Sequence, residues 1–147
     1  MTTQILSEIF QREIKKLRDE IIAFPNESVI WKTSGEIKNS AGNLCLHLCG
    51  NLQHFIGHEL GGTEYVRNRD AEFSSKDISK EKLLDEIRRA EESVINSLPK
   101  LTAADLQKIY PQNFLNKEVT TEYFLIHLLS HFDYHLGQIN YLRRMLL

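Results

Sequence analysis

The six histidines of this chain fall in two clusters: His47, His54 and His58, then His127, His131 and His135. Three pairs, 54/58, 127/131 and 131/135, are spaced four residues apart. On an α-helix such side chains stand one above the other, so both imidazoles of a pair can reach one cation. Two imidazoles from a single helix leave a metal under-coordinated. A third from a neighbouring helix gives a facial set of three, with a position open for water or substrate. At 100° per residue, His127, His131, His135 and Gln138 form one narrow column on the last predicted helix, with Phe124 and Leu142. On the second, Leu44, Leu48, Leu52 and Phe55 span about 80° of arc, and His47, Asn51, His54 and His58 form a strip beside them. His131 and His135 are therefore the expected ligand pair. His47, in mid-helix beside the core, is the natural third. Cys45 and Cys49 lie on the other flank and read as small core residues, not as partners in a Cys/His zinc knuckle. His54 and His58 read as groups at the bundle end. Glu59, Asp133, Tyr134 and Gln138 are candidates to tune the ligands from behind.

The elements that must position these groups follow from apolar periodicity. Ile5, Ile9, Phe10, Ile14, Leu17, Ile21 and Ile22 mark a first amphipathic helix over 2–24, stopped by Pro25. A loop follows over 26–39, whose Trp31 is expected to pack back on the bundle. Ser40 caps a second helix running to about Leu60 and ending at Gly61-Gly62. A long connection over 63–78 leads to Ser79, the cap of a third helix over 80–98 closed by Pro99. Thr102 to Asp105 has capping-box form. Residues 109–119 look irregular, and Thr120 or Thr121 caps a last helix that runs to the C-terminus. Four long helices without strand patterning predict an all-α, four-helix bundle, one domain over residues 1–147. On the last helix Leu125, Leu129, Phe132, Leu136 and Ile139 form a second apolar stripe away from the histidine column. A helix apolar over so much of its circumference is buried on more than one side, which predicts a homodimer through it.

Composition narrows the classes. With 147 residues, 41% hydrophobic and 26% charged, the chain is an ordinary globular sequence able to bury a core. A net charge of −2 gives no basic footprint for nucleic acid. No apolar run is long enough to span a membrane, no secretory signal is evident, and two cysteines make no disulfide framework, so a cytoplasmic protein is expected. No Glu-x-x-His precedes any histidine, which excludes the ferritin-like di-iron pattern, and neither a P-loop nor a nucleophile elbow is present.

Two stretches carry a family resemblance. Asn43-Leu-Cys-Leu-His47-Leu is similar to the hydrophobic–His–Leu ligand segment of the DinB/YfiT-like superfamily. His127-Leu-Leu-Ser-His131-Phe-Asp-Tyr-His135-Leu-Gly-Gln-Ile139 resembles its H-x-x-x-H followed by Gly-Gln-Ile. The helix order fits as well, so the resemblance covers essentially the whole chain and points to a DinB-like branch. It implies an up-down-down-up bundle with the long crossover between the second and third helices, commonly dimeric. It further implies a divalent ion, nickel or zinc, held by His47, His131 and His135, with His127 behind them. Members include thiol S-transferases and an isomerase, so the resemblance implies a metal-dependent thiol S-transferase or hydrolase acting on a small molecule, a low-molecular-weight thiol among the candidates. An ion held by three neutral imidazoles keeps its full charge and favours thiolate over thiol at neutral pH. The competing expectation is a dimeric bundle whose ion is structural or absent.

Overall fold

In the computed structural model, which describes residues 2–147, the apolar periodicity becomes seven α-helices. These are α1 (Thr2–Ala23), α2 (Glu27–Ile30), α3 (Ala41–Leu52), α4 (Arg69–Ser74), α5 (Lys80–Ser97), α6 (Ala103–Gln107) and α7 (Thr121–Met145). The predicted caps start them. The hydroxyl oxygens of Ser40, Ser79 and Thr120 accept from the N–H groups of Asn43, Lys82 and Tyr123 at 3.1, 3.2 and 3.1 Å. Each satisfies a donor the helix start would otherwise leave orphaned, for about 1 kcal/mol. Thr102 and Asp105 form the reciprocal capping box of α6.

The four long helices pack in a ring, α1 and α3 each lying between α5 and α7. Side-chain pairs give their directions. Glu20 meets Asn140 and Arg143, so α1 and α7 run parallel. Lys80 at the start of α5 donates to the carbonyls of Ile22 and Phe24, so α5 runs against α1. His47 and Phe55 meet His131 and Phe124 respectively, so α3 runs against α7. The order is up-down-down-up. Because α3 and α5 are parallel neighbours, no tight turn can join them. The chain instead crosses back over the bundle through residues 59–79, and this connection, expected as a loop, carries the short helix α4.

The end of the second long helix departs from expectation. Residues Gln53–His58 continue α3 as a π-helix, with Glu59 N–H donating to His54 O at 3.0 Å and Gly61 N–H to Ile56 O at 2.9 Å. Such wide turns occur mostly as single-turn insertions and are frequent near functional sites. The Tyr110 hydroxyl donates to Phe55 O at 2.7 Å, tying the segment to the loop before α7. Gly62 ends it with φ +70°, a conformation that favours glycine. Trp31 packs back as expected. Its indole N–H donates to Ile78 O at 3.2 Å, and its ring lies so close to Gly42 that a Cβ there would stand 2.8 Å away.

Phe10, Ile14 and Leu17 of α1, Leu48 and Leu52 of α3, Ile87 and Val94 of α5, and Leu125, Phe132 and Ile139 of α7 close one core with almost no exposure. The second apolar stripe of α7 is thus consumed inside the chain's own bundle, between α1 and α3, and is not the free face it was expected to supply. The face of α7 that does meet solvent carries Tyr123, Ile126, Tyr134, Tyr141 and Met145.

Candidate metal centre

The antiparallel pairing of α3 with α7 brings three of the six imidazoles to one point. Nε2 of His47 lies 3.2 Å from Nε2 of His131. The His135 ring stands edge-on to both, with centroids 5.3 Å from His47 and 4.5 Å from His131. One nitrogen from each histidine lies within 4.8 Å of the others. Two nitrogens on a tetrahedral zinc, each 2.0–2.1 Å from it, stand about 3.3 Å apart, so the spacing of the first pair already matches a shared ion.

What engages the outer nitrogens decides which lone pairs face inward. His47 Nδ1–H donates to Glu72 Oε1 at 3.0 Å, leaving Nε2 as the free acceptor. Glu72 lies on α4 and is gripped by Arg67, whose Nε and Nη2 donate to its two oxygens at 2.9 Å each. His135 Nδ1–H donates to Gln138 Oε1 at 2.7 Å. Asn51 Nδ2 donates to His131 Nδ1 at 3.1 Å, which puts the His131 proton on Nε2, directed at His47. Turning that amide half a revolution presents its oxygen instead, and His131 then carries its proton on Nδ1 like its neighbours. Metal-ligating histidines almost always have such an outer acceptor, which fixes the tautomer and raises ligand basicity.

Burial matches this. His47 and Glu72 are almost wholly buried, and Phe73, next in the chain, packs its ring 4.8 Å from that of His47. Burial, reinforced by the neighbouring His135 and His47, pulls the His131 pKa down to about 4. Burial also lowers His135, against the opposing bond to Gln138. These two imidazoles are neutral at pH 7, the form that offers a lone pair. Burial pushes Glu72 up, but hydrogen bonds from His47 and Arg67 and the Arg67 charge outweigh it, so its carboxyl sits below the usual range and stays ionised. Room for that carboxylate comes from Gly50, where a Cβ would stand 2.0 Å from Glu72 Oε2.

The remaining predicted residues are placed elsewhere. The His127 ring packs against Phe114 at 4.0 Å, its centroid 6.4 Å from that of His131, and it is outside the convergent three. Tyr134 is 67% exposed, its ring 5.3 Å from that of His135. Glu59 accepts from Gln112 at 2.7 Å and lies 3.8 Å from His54, while His58 Nδ1–H donates to Thr63 O, so these groups form a separate end cluster. Asp133 faces Glu13 of α1. Cys45 and Cys49 are free and buried, and the hydrogen bond between them together with burial pushes the Cys49 thiol well up, which keeps it unreactive. Sequence reasoning missed Glu72 and Arg67 altogether. It placed Asn51 on the histidine strip without giving it a partner, although its position one turn past His47 was the available signal.

The comparisons with known proteins agree with the fold. A crystal structure of a DinB-like protein from Bacillus cereus ATCC 10987 superposes with a TM-score of 0.75 over 95% of this chain and 89% of that one, at 16% identity. No curated protein sequence matches the chain. The model of one sequence family, described as "Protein of unknown function (DUF1572)", matches residues 3–147. With a DinB-like helical fold and a match over nearly its whole length, the chain belongs to the DUF1572 family.

Proposed function

We propose that this chain is a metal-dependent enzyme, a thiol S-transferase or hydrolase acting on a small molecule, with a divalent ion, nickel or zinc, held by His47, His131 and His135. The observation that carries this reading is the convergence of three imidazole nitrogens whose outer nitrogens each have a polar partner. When bound, the ion supplies Lewis acidity, favouring the deprotonated form of a thiol or water at neutral pH.

The chain's own groups prepare that chemistry. Glu72 holds the His47 proton on Nδ1, and Arg67 keeps Glu72 from turning away. Gln138 does the same for His135. His135 and Gln138 also line a cavity of about 440 Å³, which gives a small molecule a way to the triad. A purely structural ion would call for a fourth protein ligand, and the nearest further imidazole, His127, is engaged with Phe114. We further propose that the protein is cytoplasmic and homodimeric through the solvent face of α7, without nucleic-acid partners. No helix among the described residues is long and apolar enough to cross a membrane.

Protein purified without an affinity tag is expected to hold about one divalent ion per chain by elemental analysis, and His131→Ala or His135→Ala to hold none. Retention of the ion by either variant overturns the metal reading. Turnover of a low-molecular-weight thiol with an electrophile, absent in His135→Ala, separates catalysis from a structural role.

A further inference from the structure

The cavity beside His135 has a composition that selects its occupant. Its volume of about 440 Å³ lies in the range of small-molecule sites. On the triad side it is walled by His135 and Gln138. Leu44 and Leu142, both buried, give it apolar depth, and Ile37 and Met145 extend the apolar lining outward. Tyr134 and Tyr141 also line it, and both are mostly exposed, at 67% and 64%. Aromatic rings left in water beside an apolar hollow are suited to stacking on a second ring. Lys38 is the one charged side chain on the lining, and among the described residues no carboxylate pairs with it. A larger cavity, of about 540 Å³, differs. Its lining includes Asp85, Glu86 and Arg89, and Asp85 and Arg89 already pair with each other.

We propose that the cavity beside His135 binds a small organic acid with an aromatic body, the ring lying among Leu44, Leu142, Tyr134 and Tyr141 and the acid group meeting Lys38. The inference rests on the metal reading in one respect only: that reading makes this ligand the molecule presented to the ion.

The test titrates phenylbutyrate, and in parallel the uncharged phenylbutanol, into the zinc-loaded chain by calorimetry, with bound zinc counted by elemental analysis. The acid is expected to bind three- to tenfold more tightly than the alcohol, as about one partly exposed ion pair allows. Lys38→Met, on the surface and harmless to folding, is expected to abolish that preference while leaving the alcohol unchanged. Ile37→Trp, which fills the cavity from the loop side, is expected to weaken both. Equal affinity for acid and alcohol in the parent overturns the inference, as does a preference that survives Lys38→Met, since the acid group then pairs elsewhere. Zinc bound without uptake of either compound overturns this inference and leaves the metal reading standing. Binding of neither zinc nor nickel overturns the metal reading, while Lys38-dependent uptake of the acid by the metal-free chain still supports the cavity assignment.

Discussion

Glu72 is the residue on which the properties of His47 turn. Its carboxylate is nearly buried, keeps its charge through Arg67, and accepts the hydrogen bond that Nδ1–H of the histidine donates. Replacing it by Gln keeps the shape but removes the charge, so the imidazole loses basicity and Arg67 loses its ion pair. Glu72→Gln is expected to weaken divalent-metal affinity about 10- to 100-fold, the usual cost of losing an outer partner, as measured by competition with a chelator. Unchanged affinity would mean that His47 needs no anionic support. Residue-scale legibility follows from periodicity. His131 and His135 stood out because i,i+4 spacing is a helical signal, and His47 because it borders an apolar arc. Glu72 and Arg67 left no such trace, since they sit in a connection whose path is set by tertiary contacts such as the Asn43 amide donating to Glu72 O at 3.0 Å and Ser75 O at 2.8 Å.

Between elements, the contact of α1 with α7 carries a second pair of acids. Glu13 is buried and receives Arg12 and Lys16 at 2.6 and 2.9 Å, while Asp133, facing it from the solvent edge, is raised to about 6, first by partial desolvation against α1 and then by the hydrogen bond and charge of Glu13. The folded chain therefore holds a proton on Asp133 that an unfolded chain, with a carboxyl near its ordinary 3.8, has already released. Stability from this contact is present below pH 4 and declines as pH rises towards 6. Asp133→Asn donates the same hydrogen bond without needing that proton. The variant is expected to melt with the parent at pH 4 and about 2–4 °C above it at pH 7, the size of a ~1 kcal/mol effect once solvent screening of this exposed side chain is allowed for. Thermal melts followed by circular dichroism at the two pH values check this, and parallel pH profiles would refute it. The four long helices and their caps were readable at this scale, because Ser40, Ser79 and Thr120 each precede an apolar-periodic run. The π-turns of Gln53–His58 were not, since one extra residue per turn leaves the local composition unchanged.

For the whole molecule, the apolar content of α7 divides in two. Leu125, Phe132, Leu136 and Ile139 are spent within the bundle, whereas Tyr123, Ile126, Tyr134, Tyr141 and Met145 share about 100° of arc facing solvent. Light scattering at micromolar concentration is expected to give a dimer, and Ile126→Lys, away from the cavity, to shift it to monomer; a monomeric parent would retire the proposal. Tyr134 and Tyr141 belong both to this face and to the cavity lining, so a partner would narrow the entrance to the triad.

The crossover has a consequence for how such a protein can change over time. The frame that aims the three imidazoles is the bundle, but the carboxylate that trims one of them arrives on a six-residue helix outside it. Rewriting that strap alters the charge behind one imidazole through residues that lie outside the four-helix frame.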